Sequence, residues 1–429
     1  MKKKIIRSTF YLIFISLIAK LLSFSIRIFL ARSLSTTAMN YYALASPTMV
    51  MVITLAQMGI PSALSKVIAQ QKNHRNSLKA AIILSLINNS ILVIFFILFI
   101  PFLSQFILKQ VEMKEICYTI LPLIPMVSLS GILKGYLLGT QLHLIATGSQ
   151  IFEELSRIIY LIVMFYINPS MNAQSMASIA MFSITIGEVC SSLYMLCFVF
   201  KTHKLNSNNK MHLSIKYYKE ILNVSLPMVG SRFIGSLTYF FEPIVMVLAL
   251  NSKDQSIMVN TYGILNGYLL PLITMPSFIT ITLSNVLLPA FTFHYVRGNV
   301  KKAKKLFNVI ISICFIIGIV SSYLCYNYSE ELLILLYKNN HGASLLKSLA
   351  WPFAFYSLQP ALSSMLHALS RSKRAMYDTL IGSLIRILCV TFLSVYIKNA
   401  ILPFALCFGM IVTTILHAIN ISIALIQDR

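Results

Sequence analysis

Twelve apolar stretches, each long enough to cross a bilayer as a helix, follow one another from near the first residue to near the last. Hydrocarbon offers the backbone no partners, so a run of about twenty residues must satisfy its own N–H and C=O groups as a helix. The runs fall at 8–30, 42–66, 80–103, 117–139, 143–167 and 174–200, then, after a polar break, at 222–250, 260–290, 304–327, 347–369, 375–397 and 400–426. Composition agrees. The chain is 57% hydrophobic and 11% charged, more apolar surface than a soluble core hides. An all-α membrane protein of about twelve transmembrane helices is expected.

A net charge of +23 would suggest a nucleic-acid partner in a soluble protein, but its distribution gives a simpler cause. With the amino terminus inside, 21 of the 35 lysines and arginines lie on inner segments, 7 on outer segments and 7 within spans. The bias puts both termini in the cytoplasm, in the cell membrane of a bacterium, with anionic lipids as contacts and no nucleic acid. The opening MKKKIIR imitates a secretory signal, yet Lys20 interrupts the apolar run and no small-residue cleavage site follows, so it reads as a retained span. The seven cysteines lie in or beside apolar helices without CxxC spacing and read as small buried hydrophobes; no metal site or cofactor is expected, and a coupling cation stays unassigned. No GxxxxGK[ST] loop supplies a nucleotide motor.

The polar stretch 201–219 separates six spans from six. It divides the chain into an amino-terminal lobe, 1–200, a basic cytoplasmic linker, 201–219, and a carboxy-terminal lobe, 220–429. Weak self-similarity points to duplication: LSKV at Leu64 to Val67 recurs as LSNV at Leu283 to Val286, Lys20 matches Arg232, and Pro122 and Arg157 match Pro352 and Arg386. Six spans per repeat keep both copies in one orientation, the arrangement of two-lobed rocking transporters, whose pathway is the cleft between lobes. Prolines inside spans two, seven and eight permit bending. Pro47, Pro61, Pro271 and Pro276 are the expected gating kinks.

Lys20, Arg27, Lys66, Lys134, Arg157, Arg232 and Arg386 sit within spans, against Glu153, Glu154, Glu188 and Glu242. A charge in hydrocarbon costs about 2.5 to 3.5 kcal/mol, so each needs a partner or a wet cavity. Lys20 and Arg27 are seven residues apart and share a helix face. With Arg232 in the second lobe they form a candidate cationic cavity wall for a phosphate-bearing ligand, arginine as a fork and lysine as a point charge; pairing with Glu242 or Glu188, or snorkelling, is the alternative. Glu242 is read as a counter-ion for Arg232 or a cation-coupling site. Glu153 and Arg157, four apart, read as an intrahelical pair. Lys66 and Lys134, with Asn285 in the LSNV repeat, are placed at a cytoplasmic portal.

Three segments carry a family resemblance: LIAKLLSFSIRIFLAR in span one, YYALASPTMVMVITLAQMGIPSALSKVIAQ in span two, and YGILNGYLLPLITMPSFITITLSNVLLPAF in span eight. With LKGYLLGTQLHLIATGSQIFEELSR they resemble the stage V sporulation protein B group of polysaccharide and peptidoglycan-precursor flippases, within the multidrug/oligosaccharidyl-lipid/polysaccharide (MOP) exporter superfamily. The resemblance implies a MATE-like fold of two six-helix lobes that flips an undecaprenyl-pyrophosphate-linked saccharide, lipid II or similar, to the outer leaflet by alternating access. It also implies that cationic residues of span one hold the pyrophosphate, and Lys20 matches that pattern best. The chain departs from the group's pattern at SLSTTAMN after LAR and at Ile145. Two other readings are a Na+- or H+-coupled multidrug exporter of the same superfamily and a non-transporting scaffold for cell-wall synthesis enzymes, which remain possible partners. Surplus base in the spans argues against the exporter, and paired kinks argue against the scaffold. Few acidic residues and no sizeable extramembrane domain argue against an enzyme. A monomer is expected.

Overall fold

The computed structural model describes residues 2–70, 74–202, 215–248, 252–369, 371–397 and 400–427, and regular elements among them are helical. Chain contacts divide it into two compact units, Met1–Phe240 and Phe241–Arg429. The first contains α1 (Lys2–Ser33), α2 (Thr36–Gln57), α3 (Ile60–Gln70), α4 (His74–Phe102), α5 (Met113–Tyr118), α6 (Leu123–Gly139), α7 (His143–Ile167) and α8 (Ala173–Thr202). The division falls inside α9 (Ile215–Leu248). The second unit continues with α10 (Ser252–Ile264), α11 (Leu270–Thr274), α12 (Ser277–Val296), α13 (Val300–Asn327), α14 (Ser329–Tyr337), α15 (Ala343–Tyr356), α16 (Gln359–Ala368), α17 (Ser372–Ile397) and α18 (Ile401–Gln427).

Eight helical runs among the described residues are long and apolar enough to cross a membrane, and a bent ninth joins Gln255–Thr274 to Ser277–Ser284. The other expected spans fall on α7, which carries Glu153, Glu154 and Arg157, on α9, and on α15 with α16, separated at Ser357 and Leu358. The chain is a multi-pass membrane protein.

Span two is two helices, and the sequence dictates where it breaks. Met58 and Gly59 take left-handed backbone, with φ of 45° and 66°. Pro61 then sits in the first turn of α3, where a missing N–H costs nothing. The break frees carbonyls at the end of α2, and polar side chains from neighbouring helices meet them. Asn88 Nδ2 donates to the Leu55 carbonyl at 2.9 Å, and Ser128 Oγ donates to that of Ala56 at 2.6 Å. Without these donors, carbonyls in an apolar interior would each cost several kcal/mol. α6 packs on α3 through Gly131, Gly135 and Gly139, spaced four apart, and a methyl at Gly135 would collide with the Pro61 carbonyl.

In the second unit the chain passes through a π-helical turn, Leu265–Leu269, into α11, and turns by 55° before α12 at Met275 and Pro276. Pro47, by contrast, lies inside an uninterrupted α2, and Pro271 sits at the start of α11. Of the four expected kinks, Pro61 and Pro276 therefore adjoin breaks.

Candidate functional site

Arg232 projects from α9 into a hollow of about 220 Å³ in the first unit. Ile53, Thr54 and Gln57 at the end of α2, Gly59 in the break, Ser62 on α3 and Val229 on α9 complete its described lining. The break that opens span two thus also makes the hollow. Gly59 is required twice there. Its φ is positive, and a methyl would lie 2.7 Å from Val229 Cγ2 and 2.9 Å from the Ser225 carbonyl oxygen. Below it, Ile221 of α9 is buried among Ile60, Leu64, Ile68 and Tyr136, which anchors the amino-terminal half of α9 to α3 and α6.

Arg232 is exposed, and so is Lys20 on α1. Neither has a carboxylate within ion-pair distance among the described residues. Lys20 and Arg27 are absent from the described lining of the Arg232 hollow. Arg27 instead lies over the Tyr42 ring, 5.8 Å from its centroid, a cation–π contact with a buried aromatic. Lys66 is exposed on α3. Asn285 is on α12, its side chain outside the described part of the structure.

The expected acid–base pairings are rearranged. Glu242, 2% exposed, accepts from Arg386 Nη2 at 2.6 Å and 2.5 Å through its two oxygens. Its partner comes from α17, not from Arg232. The two residues are ten positions apart on α9, a rise of about 15 Å at 1.5 Å per residue, too far for direct contact. Arg157 likewise pairs with Glu154, at 3.0 Å, rather than with Glu153. Both spacings bring side chains together on a helix, and packing selects between them. Glu188 on α8 accepts from Ser130 Oγ of α6. Lys134, half-buried on α6, and Arg157 lie within electrostatic reach of Glu153 and Glu188. The bareness of Gly187 lets Arg157 and Glu153 lie against α8.

One polar cluster is missing from the sequence reading. Asp378 on α17 and His417 on α18 are each 3% exposed, with His417 Nδ1 2.8 Å from Asp378 Oδ2. Asn420 Nδ2 donates to Asp378 Oδ1 at 2.7 Å. Asp378 follows the basic Arg371 to Arg374 turn and was masked by it. The available signal was His417 and Asn420, three apart in an apolar run and hence on one helix face.

A break in span two, a hollow with an exposed arginine and ion pairs within apolar helices define a multi-pass membrane protein with charged groups set among its spans. Comparison with known proteins gives the family. The family model for polysaccharide biosynthesis proteins matches residues 5–293, and the chain belongs to that family. Stage V sporulation protein B of Bacillus subtilis (strain 168) is 30% identical over 435 residues, 98% of this chain and 84% of the relative. Among solved structures, the inward closed conformation of the lipid II flippase MurJ matches with a TM-score of 0.72 at 14% identity, covering 95% of this chain and 87% of that one. An inward-facing multidrug resistance MATE family transporter of the MOP superfamily matches at 0.70 and 16% identity, with 95% of each chain covered. The fold is the MATE-like fold of the MOP superfamily.

Proposed function

We propose that this protein flips an undecaprenyl-pyrophosphate-linked saccharide, a peptidoglycan precursor resembling lipid II, from the cytoplasmic to the outer leaflet by alternating access. The observation that carries the reading is Arg232, exposed at a hollow beside the helix break with no carboxylate to neutralise it among the described residues. An uncompensated cation at membrane depth is costly unless it serves a ligand of opposite charge, and a guanidinium forks onto a phosphate through two donors. Lys20 supplies a second positive charge from α1. Membership of a polysaccharide biosynthesis family supports a saccharide as the cargo, and the fold shared with a lipid II flippase supports a lipid-linked one.

Lys66 and Lys134 serve a cytoplasmic portal in this reading, and the breaks at Pro61 and Pro276 are hinges. Both termini face the cytoplasm, and the protein works as a monomer in the bacterial cell membrane. Anionic lipids are its other ligands. Lys301, Lys304 and Lys305 stand on one face of α13 that continues through Val309 and Ile313, basic at one end and apolar along its length, as a phospholipid requires. The purified protein in liposomes is expected to expose fluorescent lipid II to an external quencher while leaving a neutral-headgroup lipid protected. Equal rates for the two lipids refute the assignment.

A further inference from the structure

Two polar side chains of the Arg232 hollow, Gln57 and Ser62, have no hydrogen-bond partner among the described residues. Both are half-buried, Gln57 as the last residue of α2 and Ser62 in the first turn of α3. A serine inside an apolar helix ordinarily donates to the carbonyl four residues back, as Ser46 does to that of Tyr42 at 2.8 Å. Ser62 has no helical turn behind it, because its helix starts at Ile60. The break therefore leaves this hydroxyl free for a ligand. Gln57 is supported from the far side by α6, where a methyl on Gly131 would stand 3.6 Å from Gln57 Nε2.

The hollow's volume, about 220 Å³, is that of about seven water molecules. It admits one segment of a large headgroup and no more. Arg232 marks that segment as anionic, and no carboxylate lines the hollow among the described residues. An anion alone leaves the site half used. An ionised diphosphate accepts hydrogen bonds and donates none, so it satisfies Arg232, Ser62 and the Nε2 hydrogens of Gln57. It does not satisfy Gln57 Oε1, nor Thr54 Oγ1, whose own hydrogen goes to the Val50 carbonyl at 2.9 Å. Two acceptors beside an arginine call for a ligand with an N–H or O–H close to its phosphate. On a diphosphate-linked saccharide the nearest such group is the substituent at C2 of the first sugar, next to the anomeric carbon that bears the phosphate.

We propose that the Arg232 hollow is the subsite for the junction between the diphosphate and the first sugar, with Arg232 and Ser62 on the phosphate and Gln57, supported by Thr54, reading a hydrogen-bond donor at C2, a 2-acetamido or 2-hydroxyl group. Gln57 is thereby a specificity-determining residue. It selects by the sugar next to the phosphate, whatever is attached farther out. Such discrimination presupposes that the cargo is a diphosphate-linked saccharide, as proposed above.

Calorimetric titration of the full-length protein in detergent tests this without transport, using short-chain prenyl diphosphates that bear N-acetylglucosamine, glucose or 2-deoxyglucose. The 2-acetamido and 2-hydroxyl ligands are expected to bind at least about tenfold tighter than the 2-deoxy ligand, which leaves Gln57 unpaired. In Gln57→Met the three are expected to bind alike, at the 2-deoxy level. Ser62→Ala is expected to weaken all three by a common factor of about ten. Thermal melts verify that each variant is folded, and the comparison of ligands on the wild type needs no variant. Equal affinity for the three in the wild type, or a preference that persists in Gln57→Met, overturns the subsite. If that equal binding is lost in Arg232→Ala, the diphosphate reading stands without it. Failure of all three, and of the prenyl diphosphate without a sugar, to bind removes the diphosphate reading and the subsite together. Discrimination at C2 in a protein that flips no lipid II sustains the subsite and removes the transport reading instead.

Discussion

At the scale of single residues, charge at membrane depth sorts into committed and uncommitted groups. Arg386 and Glu242 are committed to each other, and removing one partner strands the other. Arg386→Met is expected to cost about 3 to 5 kcal/mol, because the carboxylate is 2% exposed, while adding Glu242→Gln to it restores most of the loss. Melting of the two single variants and the double variant in detergent measures this. Because Arg386 already occupies both oxygens of Glu242, Glu242→Gln is expected to leave any Na+ dependence of flipping unchanged, and disappearance of such a dependence would return Glu242 to a coupling role. Lys20 and Arg232 are the uncommitted pair. Either alanine variant is expected to slow flipping at least about tenfold, one lost charge-assisted contact of about 1.5 kcal/mol or more, without lowering the melting temperature. The sequence located these charges but not their partners. Glu242 and Arg386 lie in different helices, 144 residues apart, so their meeting depends on helix rotation, which no periodicity states. Arg157 had two carboxylates at allowed spacings, and the packing of Gly187 against it enters only in three dimensions.

At the scale of elements, the break between α2 and α3 carries the most information. In the sequence Pro61 was legible as a kink, because proline starts a helix more readily than it continues one, but Pro47 read the same way and lies inside an unbroken helix. The donors that stabilise the break, Asn88 and Ser128, were not legible, being ordinary polar residues of other spans. The π-helical turns at Leu103–Ile107 and Leu265–Leu269 leave no mark in the apolar pattern either. Gly59→Ala is expected to lower stability by about 1 to 3 kcal/mol, from overpacking against Val229 and Ser225 on top of strained backbone. Gly235→Ala on α9, where nothing lies within 4 Å of the added methyl, is the control and is expected to be neutral or mildly stabilising. Thermal melts distinguish them, and equal effects would mean that the close approach of α9 to the break is unimportant.

At the scale of the whole molecule, the apolar runs and the alternation of basic connections made the multi-pass architecture readable, since lipid imposes both on any chain that spans it. The same alternation predicts sidedness, and two exposed turns in the second unit test it. Asn299 lies in the turn between α12 and α13, beside Arg297, Lys301 and Lys302; His341 lies between α14 and α15. One long span, α13, and the nine-residue α14 separate them. Nine residues make a helix of about 13 Å, less than half the hydrocarbon thickness, so α14 cannot return the chain across the bilayer. The two turns must therefore face opposite sides. In a variant with its own cysteines replaced, a cysteine at His341 is expected to react with a membrane-impermeant maleimide on intact cells, and one at Asn299 only after permeabilisation. Reversal of the two would invert the proposed orientation and, with it, the leaflet from which a diphosphate reaches Arg232. Labelling of both on intact cells would instead mean that α13 does not cross.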